Sequence, residues 1–153
     1  MFSADCRSCC GLFSPSADEI TDEGEYLWRY PGDDYVDVLG LDSYYWNDSS
    51  RLVRVLEWVV AQAEKKAKVP ALTEFGARNG LGSAWIAGDV WFSRGFLTPV
   101  MASPSASRIA YALAWRNASR QHFFVPYPGH AGESGFRDFC HDPRVLLQSD
   151  LPL

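Results

Sequence analysis

Residues Tyr35 to Trp46 read YVDVLGLDSYYW. A run of Val and Leu that closes on polar and aromatic residues suits a strand buried on both faces, and such strands belong to parallel sheets. Parallel neighbours need a long crossover, usually a helix, so the next stretch decides the fold. Either Ser49 or Ser50 is placed to cap a helix in which Leu52, Val55, Leu56, Val59 and Ala63 recur at helical spacing. Lys65, Lys66 and Lys68 stand at its C-terminal end, where cations complement the helix dipole. VPALTEFG (69–76) then reads as a second strand that ends at Glu74.

The same alternation extends in both directions. Upstream, EITDEGEYLWRYPGDD (19–34) reads as a helix capped by Thr21, with acids in its first turn and Pro31-Gly32 as its stop. Downstream, AWIAGDVWFSRGFLTPVM (84–101) is a second, less regular helical stretch broken by Pro99. RIAYALAWRNA (108–118) follows as a third strand, and the tail from His122 is loop-rich up to a short closing segment near Val145. Strand, helix, strand, helix, strand argues for βαβ units around a parallel sheet. The three strands place Asp42 and Tyr44, then Glu74, then Trp115 and Arg116, at their C-terminal ends. Active sites form there in a β/α barrel. Ligands also lie there in an open doubly wound sheet, so this pattern alone does not choose between the two. Neither a GxGxxG nor a Walker motif is present to bind a nucleotide.

Composition narrows the function. The chain of 153 residues is long enough for one domain with a real core. Its net charge is −5 and its Lys and Arg are scattered, so the electrostatic footprint of a nucleic-acid partner is missing. No apolar run is long enough to span a membrane. The opening MFSADCRSCCGLFSP lacks the charged and apolar regions of a signal peptide. Cys6, Cys9 and Cys10 include a CxxC spacing, but with no second pair nearby they and Cys140 read as free thiols; no metal or cofactor is expected. Asn47 and Asn117 open glycosylation sequons, a pattern frequent by chance. The six Trp and seven Tyr serve either as core mass or as flat platforms for a ligand.

Glu74 raises a question of its own. An acid at the mouth of a buried strand needs a partner or a task, because burying an unpaired charge is costly. The plain alternative is a solvated Glu where strand gives way to loop. Four motifs bear on this: YPGDDYVDVLGLDSY, ALTEFG, AWRNA and HFFVPYPGH. In that order they resemble the second half of glycoside hydrolase family 26, dominated by endo-β-1,4-mannanases with a (β/α)8 barrel, and the resemblance runs from about Phe13 to Leu151.

It implies an α/β fold that is a partial (β/α)8 TIM barrel, the C-terminal half with about strands 5–8. Residues 1–153 would form one partial catalytic domain, with 1–12 a poorly matching leader. Glu74 matches the family nucleophile and Tyr44 the tyrosine that orients it, although Tyr44 also suits a rim aromatic. Asp42 lies two residues before Tyr44, on the same side of a strand. It matches an acid near the substrate, or else plays a structural hydrogen-bonding role. Asp37 has the opposite parity and reads as structural. Trp115 matches a stacking floor for the sugar; Arg116 matches a donor to a neighbouring sugar, or a strand-end salt bridge. Tyr127 and His130 read as a structural loop, and Trp85 and Trp91 as packing or outer-subsite residues.

The departures are equally plain. A closed barrel of this type takes about 250 residues. The family's acid/base Glu lies in an HExN-type motif, which has no counterpart here; the histidines are His122, His130 and His141. The expectation is therefore a fragment of a retaining β-mannanase that holds the nucleophile without the acid/base half, inactive alone. Its unpaired barrel edges would favour self-association. By resemblance its substrate is β-mannan or a related polysaccharide, and its place secreted or periplasmic. The other readings are a non-catalytic carbohydrate-binding remnant, and another β-glycanase such as a xylanase or mixed-linkage glucanase.

Overall fold

The computed structural model describes residues 10–45, 48–82 and 90–152. Its strands are β1 (Leu12–Phe13), β2 (Val38–Leu39), β3 (Asp42–Tyr45), β4 (Val69–Pro70), β5 (Leu72–Ala77) and β6 (Ala112–Ala114). They form two parallel sheets, ordered β1-β2-β4 and β3-β5-β6. The sheets are continuous across short breaks at Gly40-Leu41 and Ala71. Gly40 N–H donates to the Phe13 carbonyl, Ala71 N–H to that of Leu39 and Thr73 N–H to that of Leu41. A parallel bridge from Ser16 to Asp42 carries the first track upward. The result is four parallel tracks in chain order: β1, then β2 with β3, then β4 with β5, then β6.

The helices all pack on one side of these tracks. Leu39, Leu41, Tyr45, Leu72, Phe75 and Ala77 meet Leu52, Val55, Leu56 and Val59 from α2 (Ser50–Lys66) in one buried cluster. Trp91, Phe92 and Phe96 from the next helix join the same cluster. The alternate residues Asp42 and Tyr44 face the other way, half-buried. A doubly wound sheet carries helices on both faces. Helices on one face alone, with each crossover stepping to the next track, make an arc of a β/α barrel.

α2 forms despite four valines, Val53, Val55, Val59 and Val60. Each costs about half a kcal/mol of propensity, whereas burial of a large apolar side chain contributes about 1.5–3 kcal/mol. Packing wins by a wide margin. Ser49 occupies the N-cap position, as expected, but its side chain makes no cap bond; the Asp48 carboxylate instead accepts from Ser50 N–H at 2.9 Å. The helix ends at Ala67, which adopts the left-handed conformation at φ 53° so that Lys68 N–H reaches the Ala63 carbonyl at 2.8 Å.

Other expectations need correction. The upstream helix is a single turn, α1 (Glu23–Tyr26), capped by Asp22 rather than Thr21; Thr21 instead donates to the Glu25 carboxylate. The run from Tyr35 to Trp46 holds two short strands, not one. The third strand is only three residues long.

Pro99 does not break its helix. A π-helical segment, Trp91–Leu97, passes directly into α3 (Thr98–Ala102). Pro99 falls in the first turn of α3, where a helix tolerates proline. The buried Tyr45 hydroxyl donates to the Gly95 carbonyl of the π segment at 3.0 Å. The tail holds a helix where loop was expected, α4 (Glu133–Cys140), whose Phe136 and Phe139 pack on Phe92. Around Val145 the backbone is irregular, followed by a 3-10 turn at Gln148–Asp150.

Cys10 and Cys140 are free thiols, and no metal-ligand cluster occurs among the described residues. Cys6, Cys9, Trp46, Asn47 and Trp85 lie outside those residues. No described helix is long and apolar enough to cross a membrane.

Candidate active site

Glu74 is aimed by a bulge. Both Thr73 N–H and Glu74 N–H donate to the single carbonyl of Leu41, at 3.0 and 3.3 Å. On the other side Leu72 and Phe75 pair with Ala112 and Ala114, so three steps along β5 oppose two along β6. An extra residue shifts the side-chain parity of everything beyond it. Leu72 and Phe75 consequently both enter the helix-side core, and Thr73 and Glu74 both turn to the opposite face. β5 continues to Ala77, so Glu74 sits inside the strand and not at its end as its sequence suggested.

On that face Asp42 is in register with Glu74, and Tyr44 with Gly76. The Tyr44 hydroxyl donates to Glu74 Oε2 at 2.9 Å. Burial, and secondarily the Glu74 carboxylate, push the Tyr44 phenol well above its ordinary value, so it stays a donor throughout the physiological range. Asp42 is engaged differently. The Ser14 hydroxyl donates to its Oδ1 at 2.6 Å, and the Thr73 hydroxyl lies 3.1 Å from the same oxygen. Burial raises the Asp42 carboxyl, an effect these two hydroxyls oppose. Thr73 fits there because Gly40 lacks a side chain; a Cβ at Gly40 would stand 2.6 Å from Thr73 Oγ1.

Trp115 follows β6 and stays beside the strand of Glu74, its N–H donating to the Phe75 carbonyl at 2.9 Å. It is half-buried, and the exposed Arg116 holds its guanidinium 5.8 Å from the Trp115 ring. Among the described residues no carboxylate salt-bridges Arg116. Asp37 accepts from Gly11 N–H at 2.9 Å, at the foot of β2. Tyr127 and His130 form an aromatic cluster with Phe123, and His130 Nδ1 accepts from Gly132 N–H. Trp91 is buried, stacked on Phe75. Glu133 accepts from Gly129 N–H and pairs with Arg137, contacts that hold it below the usual carboxylate value.

The structure thus gathers Glu74, Tyr44 and Asp42 on one face, with Trp115 and Arg116 on the adjoining loop. It also adds residues that sequence reasoning left unassigned: Ser14, Thr73, and Phe124, whose ring packs against Tyr44. Gly76, two residues beyond Glu74, was the available signal for Phe124, since a glycine in a buried strand marks a close approach.

A model of glycosyl hydrolase family 26 matches residues 11–86, which include Asp42, Tyr44 and Glu74. A mannan endo-1,4-β-mannosidase of Bifidobacterium adolescentis is 30% identical over 156 residues, covering 90% of this chain and 15% of that protein. The structure of an endo-β-1,4-mannanase double mutant from Cellulomonas fimi superimposes with a TM-score of 0.83 at 38% identity, over 93% of this chain and 32% of that one. A β-mannanase from Bacteroides ovatus gives 0.75 at 33% identity, over 91% of this chain and 39% of its own. The chain therefore spans well under half the length of these relatives.

Proposed function

The chain belongs to glycoside hydrolase family 26, and on that premise we propose that it carries the nucleophile side of a retaining β-mannanase acting on internal β-1,4 bonds of mannan. The supporting observation is the bond from Tyr44 to Glu74 on the bulged strand. In retaining hydrolysis one carboxylate attacks the anomeric carbon and a second, about 5–5.5 Å away, protonates the departing oxygen. Tyr44 occupies Oε2 of Glu74, which leaves Oε1 free to attack. A glycosyl ester forms on Glu74, and water then releases the sugar and restores the carboxylate. Trp115 would floor the reacting sugar, because an indole face packs well on pyranose C–H groups. Arg116 would exchange its contact with Trp115 for a sugar hydroxyl.

The proton donor is the missing element. Asp42 has a raised carboxyl, but its register places it beside Glu74 rather than across a scissile bond. Glu133 is held low by its own partners. In this reading the acid, and the HExN-type segment that bears it in the family, comes from outside these 153 residues. The whole enzyme would act where polysaccharide is found, outside the cytoplasm.

Completing the domain with the missing barrel half from a family member, then adding a 2-deoxy-2-fluoro-mannoside with a good leaving group, tests this. The expected product is a sugar ester on the peptide containing Glu74. Label on any other residue removes Glu74 from the role. Trapping by a glucoside or xyloside analogue, with none by the mannoside, keeps the role and changes the sugar.

A further inference from the structure

We infer that Phe124, on the loop after Trp115 and Arg116, is a positioning residue for Glu74 and acts through Tyr44. This rests on the reading of Glu74 as nucleophile. The Phe124 ring is buried and meets the Tyr44 ring edge-on, with centroids 5.4 Å apart. It occupies the space that Gly76 leaves open: a Cβ at Gly76 would stand 2.4 Å from Phe124 Cδ1. His122 also meets the Phe124 ring edge-on, with centroids 5.1 Å apart. Tyr44 is thus held between its hydroxyl bond to Glu74 and an aromatic wall behind its ring.

The wall is itself anchored. Asn117 Oδ1 accepts from Phe124 N–H at 2.9 Å and from Val125 N–H at 3.0 Å, and Asn117 Nδ2 donates to the Val125 carbonyl at 2.8 Å. One side chain thereby closes the loop from 117 to 125. Leu81 N–H pins the same loop to the turn that follows β5 through the Phe123 carbonyl at 2.8 Å. A single hydrogen bond leaves a tyrosine ring free to turn about its two torsions, and an edge-on aromatic contact restrains it further. The loop that follows Trp115 and Arg116 is then mechanically tied to the carboxylate, without touching it.

A chemical-shift cycle on the whole 153-residue chain tests the link, with the protein labelled at tyrosine 13Cζ. Glu74→Gln should displace the Tyr44 resonance, because a charged acceptor becomes neutral. In Phe124→Leu protein that displacement should fall to less than about half, as expected for two coupled sites. The Tyr26 and Tyr45 resonances, from rings buried elsewhere in the core, should stay in place. An undiminished displacement in folded Phe124→Leu protein overturns the inference. So does a loss matched by Tyr26 and Tyr45, which would mark general loosening. Asn117→Ala provides the second variant: Asn117 is exposed, and its removal deletes the three bonds to Phe124 and Val125 while the Leu81 bond stays. It should reduce the displacement in the same sense, and no change would count against the inference. No sugar is involved, so a failed trapping experiment and a failed cycle remain separate results.

Discussion

Asp42, in register with Glu74 on one face, is enclosed by the hydroxyls of Ser14 and Thr73 and raised by burial. The sign of its contribution follows. Because the folded chain holds the Asp42 proton more tightly than the unfolded chain, its contribution is fully present below the unfolded value and is lost as pH rises through the folded one. At neutral pH the charged form therefore weakens the fold. Asp42→Asn should gain stability relative to the parent chain as pH rises from acid to neutral, seen as a widening difference in urea midpoints. A constant difference would mean that burial does not govern this carboxyl. The residue types were legible: the parity of Asp42 and Tyr44 followed from strand geometry. That Ser14 and Thr73 engage Asp42 was not, since Ser14 lies 28 positions away in the chain.

At the scale of elements, α2 was readable because its seventeen residues sustain one apolar face over several turns. α4 was not, having eight residues with Ser134 and Gly135 in its first turn and an apolar set confined to Phe136, Phe139 and Cys140. Pro99 misled because it falls in the first turn of α3, where the missing N–H is not needed. Ala67 gives the test at this scale. A side chain in the left-handed region costs about 1–2 kcal/mol, partly offset by the extra unfolded-state entropy of glycine. Ala67→Gly should thus raise stability by about 0.5–1 kcal/mol, measured by chemical denaturation. A loss would show that the Ala67 methyl contributes packing that outweighs its strain.

At the scale of the molecule, neither β1 nor β6 pairs with a further strand among the described residues. Leu12 on β1 and Tyr111 and Leu113 at β6 are large exposed apolar residues, and Trp28 beyond α1 is 79% exposed. Unpaired parallel edges with apolar side chains invite another chain. The purified 153-residue chain should self-associate in a concentration-dependent way, visible by light scattering. It should also release reducing ends from galactomannan at a rate below the completed domain by at least about 10²–10⁴-fold, the usual contribution of a general acid. Monomeric chain with turnover near that of the completed domain, abolished by Glu74→Ala, would mean that an acid within these residues does the work.

What the sequence determined by itself was local and periodic: the parallel β/α order, the buried face of α2, and the motifs around Glu74 and Tyr44. These signals lie within a few residues of one another, where side-chain period and backbone geometry dictate the outcome. Tertiary structure alone decided that the helices cover one face of the tracks, which selects a barrel arc over an open sheet. It also decided that a bulge against Leu41 turns Thr73 and Glu74 to the same side. Phe124 reaches Tyr44 only through the fold, across 80 positions of chain. The reason is physical: a bulge exists only relative to the strand beside it, and an aromatic wall only relative to the cavity that a distant glycine leaves open.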